Sequence, residues 1–218
     1  TEALECYQSS LVLKEKIQDK ISIAHTYINL GQLFLQRGDL QLAAQNYEKS
    51  LQLYRACNFK AGIGIALGGL ATLTLFRGRQ EEAFQLFEQS LKEFESSQVK
   101  NLEVLVTVCR ANIEAGHLEK AKQFLDQAID IANQQESPLA LAQCHLAQGL
   151  LFLALQKRKL AKTSLLKALE LGKQLQIPLF IAEAAQYLAA IAVREEALTE
   201  AHHYVGLAMT NAKLHGLF

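Results

Sequence analysis

The sequence lacks tryptophan and has only two prolines among its 218 residues. Scarce proline leaves long stretches free to form helices, and the frequent Leu, Ala, Gln, Glu and Lys residues favour them. We therefore predict an all-α chain. An excess of charge of either sign is also missing, because 22 basic and 22 acidic residues cancel. A broad electrostatic surface for nucleic acid or for an anionic membrane is not expected.

Cysteines are few, and their spacing argues against cysteine-rich sites. Cys6, Cys57, Cys109 and Cys144 form no CxxC pair. We expect reduced thiols in a cytoplasmic protein rather than a disulfide framework or a zinc site. No stretch reaches the roughly 18 uninterrupted apolar residues that a membrane span requires, and no secretory signal is visible.

Patterns that carry catalysis or hold a metal ion are missing as well. His202 and His203 are adjacent, so on a helix they point about 100° apart and cannot both face one metal ion. No serine or cysteine lies in a nucleophile motif, and the glycines do not follow the GxGxxG phosphate-binding pattern. We expect no catalytic residue, no metal, no cofactor and no enzymatic activity.

A ladder of alanines runs through the whole sequence at a nearly constant step. The alanines lie 40, 40, 38, 40 and 40 residues apart, at Ala3, Ala43, Ala83, Ala121, Ala161 and Ala201. Four positions after each comes a bulky apolar residue, at Tyr7, Tyr47, Phe87, Leu125, Leu165 and Val205. A fixed period of this length indicates stacked repeats rather than a globular domain with a single cleft.

Each period accommodates two amphipathic helices, because apolar residues recur three and four positions apart. In the clearest period the helices are predicted at about 21–36 and 40–57. Gly38, Gly78 and Gly116 fall between paired helices and suit the left-handed conformation that ends a helix. Gln156 and Glu196 replace glycine in the last two periods, where we expect a different turn or longer helices.

The motif within each period resembles the tetratricopeptide repeat. Its best copy reads Tyr27-x-x-Leu30-Gly31-x-x-Phe34 followed by Ala43-x-x-x-Tyr47-x-x-Ser50. The period of about 40 residues exceeds the usual 34 and is similar to the long repeats of bacterial signalling ATPases, transcription regulators, and the LGN and kinesin light chain adaptors. The resemblance implies an α-solenoid, a right-handed superhelix of about five and a half helix-turn-helix repeats. We predict one array over 1–218, with a second helix at 1–17 and repeats at 21–57, 60–97, 99–135, 138–175 and 179–214.

The resemblance also implies where a partner binds, since first helices line the concave face in that family. Asn29 matches the asparagine that adaptors use to bond an extended peptide. The later repeats lack that asparagine, and the basic clamp for a terminal carboxylate is missing too. The candidate partner-binding residues are Asn29, Gln32, Gln36, Gly68, Gly69, Thr72, Phe76, Glu103, Arg110, Gln143, Tyr187 and Arg194.

Two features of this face have competing interpretations. The glycines Gly62, Gly64, Gly68 and Gly69 crowd one first helix, where each costs up to about 1 kcal/mol relative to alanine. They form either a deepened groove floor, with aromatic walls at Phe76 and Tyr187, or a close contact between helices. Similarly, Arg110 either contacts a partner or pairs with Glu103 and Glu114 on its own helix.

Together these features predict a scaffold that binds a protein or a peptide in a concave groove. The alternatives are a regulatory or sensor domain of a larger bacterial signalling protein or transcription regulator, and an oligomerisation module. The sequence starts in mid-repeat and without methionine, so we expect a fragment of a longer protein. Its terminal helices, the last ending with Leu214, Leu217 and Phe218, are expected to contact flanking repeats or to self-associate.

Overall fold

The chain is helical throughout the part that the computed structural model describes, which is the backbone of residues 2–214 and the side chains of residues 4–213. Leu217, Phe218 and the side chains of Ala3 and Leu214 therefore lie outside the described residues. Within them there are eleven helices and no strand, and the predicted all-α class with helix-turn-helix repeats is confirmed. The helices are α1 (Glu2–Lys16), α2 (Lys20–Gln36), α3 (Leu40–Ala56), α4 (Lys60–Phe76), α5 (Gln80–Ser97), α6 (Leu102–Glu114), α7 (Leu118–Gln134), α8 (Pro138–Ala154), α9 (Arg158–Gln174), α10 (Pro178–Arg194) and α11 (Leu198–Leu214).

Several helices begin at residues that suit a first turn. The Asp19 and Asp39 carboxylates precede α2 and α3, and each accepts a hydrogen bond from a backbone N–H three residues later. The Ser137 hydroxyl does the same before α8. Pro138 and Pro178 are the first residues of α8 and α10, where the missing N–H has no helical partner to lose. Sequence thus sets where these helices start.

The turns between consecutive helices all contain one residue in the left-handed conformation. Three of these residues are glycines with φ of 75° to 78°, and seven are not, with φ of 47° to 58°. Gln156 and Glu196 have φ of 58° and 57°. The helices α8 and α10 are each 17 residues long, as α2 is. The prediction of different turns or longer helices there is therefore wrong. The two hydrogen bonds that close the Gly38 turn are repeated in the Gln156 turn, and they hold a non-glycine residue in the same conformation.

The chain divides into two compact units, and the division falls within α6. The first unit runs to Val104 and the second starts at Leu105. One continuous right-handed array stays a prediction.

The core of the first unit shows how the ladder of small and bulky residues packs. Ala43 and Tyr47 of α3 are no more than 1% exposed. The Tyr47 ring lies between Gly31 of α2 and Gly69 of α4, and a Cβ atom on either glycine would come within 2.6 Å of Tyr47 Cε1. The glycines leave the space that this ring occupies, so they hold the three helices at close distance.

The second unit repeats this arrangement with an aliphatic residue in place of tyrosine. Ala161, Leu165 and Ala168 of α9 are fully buried. A Cβ atom on Gly149 of α8 would come within 2.6 Å of Leu165 Cγ. Leu165 therefore occupies the same position in its repeat as Tyr47 does in the first unit.

Candidate partner-binding site

In each unit the first helices of successive pairs pack against one another. In the first unit α2 contacts α4, and in the second α8 contacts α10. Side chains that project from these helices away from the second helices form a surface that we call the inner face of the unit. All the candidate residues from the sequence lie on first helices.

A hydrogen bond crosses the inner face of the first unit. Gln32 of α2 donates from Nε2 to Glu103 Oε1 of α6 at 3.1 Å. The helix α4 lies between them, because Gly68 of α4 faces Val104 of α6. Packed helices stand about 8–10 Å apart, so a straight row of three would separate the outer two by about 16–20 Å. The Gln32 and Glu103 side chains can meet only by passing over α4, so the row curves toward them.

An ion pair crosses the inner face of the second unit in the same way. An Nη atom of Arg110 in α6 donates to Glu183 Oε1 in α10. Arg110 keeps 37% of its side chain exposed and Glu183 keeps 19%. Burial raises the pKa of the Cys109 thiol in α6, and nearby Cys144 of α8 contributes in the same direction. Because α8 also contacts α10, it lies between the two helices. The inner face is therefore concave here as well.

Three neighbouring side chains on two helices affect the pKa of Arg110. Burial lowers the pKa of Arg110, but the Glu183 carboxylate outweighs it, and the result is a raised pKa. Tyr187 and Glu114 add smaller contributions in the same direction. Burial first, and Glu183 second, raise the pKa of the Tyr187 hydroxyl. Within the second unit, the ion pair of Arg110 is thus with Glu183 on another helix.

The four glycines of α4 are explained by packing. A Cβ atom on Gly68 would meet Val104 Cγ2 at 2.9 Å, and one on Gly69 would meet Tyr47. Gly62 and Gly64 face the aromatic rings of Tyr54 and Phe94 in the same manner. Each glycine accommodates a side chain of a neighbouring helix, so we do not retain Gly68 and Gly69 as a groove floor.

The remaining candidates differ in how far they are available to a partner. Asn29 and Gln36 on α2 and Arg194 at the end of α10 are exposed. Phe76, the last residue of α4, is 66% exposed. The half-buried residues are Gln32, Thr72, Gln143 and Tyr187, and the Thr72 hydroxyl donates to the backbone carbonyl of Gly68 at 2.9 Å.

Sequence models of the tetratricopeptide repeat match residues 1–56 and 77–144. Together they match more than half of the chain. The chain belongs to the tetratricopeptide repeat family. Proteins of this family are generally scaffolds for protein interactions rather than catalysts, and their stacked repeats create concave binding surfaces.

Solved structures share the fold of this tetratricopeptide repeat chain at low sequence identity. BtubC from P. vanneervenii aligns with a TM-score of 0.72 and 15% identity, covering 100% of this chain and 91% of that one. PilF from Pseudomonas aeruginosa aligns with a TM-score of 0.63 and 21% identity, covering 88% and 78%. The third structure is a signal transduction ATPase with numerous domains and a tetratricopeptide repeat sensor, from Pyrococcus horikoshii. It aligns with a TM-score of 0.68 and 18% identity, covering 99% of this chain and 35% of that one. No curated protein sequence matches the chain.

The part of the tetratricopeptide repeat chain that the structure describes offers neither a membrane span nor a metal site. No helix there is both long and apolar enough to cross a membrane. No group of three or more His, Cys, Asp or Glu side chains there is arranged to hold a metal ion.

The candidate residues chosen from the sequence do not include Glu183, although this residue completes the ion pair of the second unit. Arg110 and Glu183 are 73 positions apart and lie in non-consecutive repeats. Opposite charges at inner-face positions two repeats apart are the signal that finds such a pair. Such a pair can be recognised in the sequence only after the curvature of the inner face is known.

Proposed function

We propose that the chain is a non-enzymatic scaffold that binds a protein or peptide on its inner faces. The observation that carries this proposal is the group of Arg110, Glu183 and Tyr187 on the inner face of the second unit. Glu183 holds Arg110 in an ion pair, and Tyr187 lies near both groups. Arg110 nevertheless keeps 37% of its side chain exposed. A partner can therefore contact groups that are already in place.

The chemistry of this group suits protein recognition. Arginine and tyrosine are enriched among the residues that dominate binding energies at protein interfaces. The guanidinium of Arg110 has five N–H donors, and its ion pair with Glu183 engages one Nη atom. Its other donors are available to backbone carbonyls or carboxylates of a partner. Because Glu183 orders the guanidinium beforehand, a partner loses less conformational entropy on binding.

The inner face of the first unit offers a second set of contacts. Asn29 and Gln36 present amide groups along α2, and Phe76 presents an exposed ring at the end of α4. Amides that donate and accept can bond the backbone of an extended peptide. Asn29 also occupies the position that peptide-binding adaptors of this family use for that purpose, which supports the proposal.

Selection of peptides from a random displayed library tests the proposal and does not require the natural partner. Binding of the selected peptides is then measured by fluorescence polarisation for wild type, Tyr187→Ala and Arg110→Gln. Lys122→Gln is the matched control, since Lys122 is an exposed residue of the second helix α7. We expect Tyr187→Ala and Arg110→Gln to weaken binding at least about tenfold, which is about 1.4 kcal/mol.

In Arg110→Gln the Glu183 carboxylate loses its ion-pair partner. The double variant Arg110→Gln/Glu183→Gln removes that carboxylate as well, so it distinguishes a loss of peptide recognition from the effect of an unpaired charge. Circular dichroism verifies the fold of every variant. Peptides that bind the inner-face variants as tightly as wild type would refute the proposal. Preferential loss in Lys122→Gln would refute it as well. The regulatory, sensor and oligomerisation alternatives stay predictions.

A further inference from the structure

The residue that ends each first helix is exposed in all five of the described first helices. These positions correspond through the period of the sequence and hold Gln36, Phe76, Glu114, Ala154 and Arg194. Ala154 ends α8, which has a first helix on either side of it, α6 and α10. Exposure at this position is therefore a property of the inner face and does not depend on where the sequence ends.

Two residues at this position carry opposite charges in the second unit. Glu114 ends α6 and Arg194 ends α10, and the small side chain of Ala154 lies on the helix between them. Within the part of the chain that the structure describes, neither Glu114 nor Arg194 has an ion-pair partner. The second unit thus presents an anion and a cation to solvent, two first helices apart on one face.

The ion pair between Arg110 and Glu183 leaves the area around these two charges uncovered. Glu114 follows Arg110 by one turn of α6, and Arg194 follows Glu183 by three turns of α10. At 1.5 Å per residue, the uncovered area measures about 6 Å along α6 and about 16 Å along α10. We call this area the inner-face wedge.

The floor of the inner-face wedge includes small and apolar side chains. Ala154 and Ala190 are exposed, and Leu150 of α8 is half-buried. Tyr187, one turn after Glu183, contributes a half-buried phenol. Neighbouring extended strands stand about 4.8 Å apart, so even the narrow end of the wedge, about 6 Å, admits one extended backbone. The alanines let that backbone approach the helices closely.

The distance between the two charges sets the spacing of complementary charges in a ligand. Packed helices stand about 8–10 Å apart, so the axes of α6 and α10 are at most about 20 Å apart. An extended chain rises about 3.3 Å per residue and crosses that distance in about six residues. The curvature of the inner face shortens the path, which leaves roughly four to six residues between the complementary charges.

We infer that the inner-face wedge selects extended peptides that carry a basic and an acidic residue about four to six positions apart. The basic residue pairs with Glu114 and the acidic residue pairs with Arg194. Small residues between them lie on Ala154 and Ala190. This inference rests on the proposed binding of peptides to the inner face, and it adds the charge pattern that such a peptide carries.

Peptides selected from a random displayed library on the wild-type chain provide the probe. We expect opposite charges at this spacing more often in the selected sequences than in the unselected library. Each selected peptide is then compared with a form in which its basic and acidic residues are exchanged. The exchanged form can match both charges only by running backwards, which misplaces its other residues. Wild type should therefore bind it at least about fivefold more weakly, since exposed ion pairs contribute up to about 1 kcal/mol each.

The variant Glu114→Arg/Arg194→Glu exchanges the charges of the protein and should reverse this preference. Glu114→Gln/Arg194→Gln removes both charges and should abolish the preference, which provides a second test if the first variant does not fold. Glu119→Arg/Lys122→Glu is the matched control, since it exchanges two exposed charges on the second helix α7. The control should keep the preference of wild type. Fluorescence polarisation measures the affinities, and circular dichroism verifies the fold of every variant.

Two results would overturn the inference. The first is a set of selected peptides without the charge pattern, and the second is an unchanged preference in both inner-face variants. If such peptides still lose affinity in Tyr187→Ala, the inner-face proposal stands and only the charge pattern is wrong. If Tyr187→Ala also binds them as wild type does, the inner-face proposal fails as well.

Discussion

At the scale of single residues, small side chains in the helices decide how closely the helices approach. Gly31 and Gly69 both face the Tyr47 ring, with room for no further atom. Gly206 of α11 has no atom within 4 Å of an added Cβ. The same residue type therefore has opposite roles at these positions, and substitution should separate them.

We predict that Gly69→Ala destabilises the protein and that Gly206→Ala stabilises it. At Gly69 the new methyl group would overlap Tyr47, and overpacking a core costs about 1–3 kcal/mol. At Gly206 the change removes a helix-interior glycine and contributes up to about 1 kcal/mol. Urea unfolding monitored by circular dichroism measures both. Equal midpoints for the two variants would show that Tyr47 does not restrict Gly69.

The glycines also show what sequence can and cannot predict at this scale. Their unusual number in α4 indicated either a pocket or a close contact, and helix propensity alone does not distinguish the two. The outcome depends on Tyr47 and Val104, which reach the glycines from other helices. Likewise, the partner of Arg110 depends on curvature that no single repeat encodes.

Two buried thiols predict a loss of stability in alkaline solution. Burial raises the pKa of Cys144 from 9.0 to about 11 and that of Cys109 from 9.0 to about 12. Both thiols stay neutral in the fold at pH values where the unfolded chain already ionises them. Their contribution is therefore complete below about pH 9 and declines as the pH rises toward 11 and 12.

The double variant Cys109→Ala/Cys144→Ala should lose less stability than wild type between about pH 9 and pH 11. Urea unfolding at several pH values measures how steeply the free energy of unfolding falls with pH in wild type and in the double variant. The packing lost on substitution by alanine lowers the free energy of unfolding equally at every pH, so it does not affect the comparison of slopes. Identical slopes would show that burial does not raise the pKa of these two thiols in the folded protein.

At the scale of the helices, the period of the apolar residues predicted the pairs well. The pair predicted at about 21–36 and 40–57 is observed at Lys20–Gln36 and Leu40–Ala56. The sequence predicts the turns less well, because its pattern associates the left-handed conformation with glycine. Hydrogen bonds at the helix ends impose that conformation on glutamine, asparagine and glutamate as well.

We predict that Gln156→Gly and Glu196→Gly each stabilise the protein. A non-glycine residue in the left-handed region costs about 1–2 kcal/mol, and the greater chain entropy of glycine offsets about half of the gain. Gln156→Ala is the control, since it shortens the side chain and keeps the strain. The melting temperature should rise for the glycine variants and not for the alanine control. A lower melting temperature for Gln156→Gly would show that the turn is unstrained.

At the scale of the whole molecule, the central question is which surface a partner contacts. The chain consists of two units, and each presents a face of first helices crossed by a polar bridge. Second helices contribute the ladder of alanines and bulky residues that builds the cores. Because packing explains the ladder, recognition should lie with residues that differ between repeats. Arg110, Glu183 and Tyr187 are such residues.

Hydrogen–deuterium exchange tests this claim most directly when it is measured with and without a library-selected peptide. We predict slower exchange in the first helices of the second unit, α8 and α10, with α7 and α9 unchanged. The same protection should be absent in Tyr187→Ala. Protection confined to α7 and α9, or equal protection in Tyr187→Ala, would contradict an inner-face binding site.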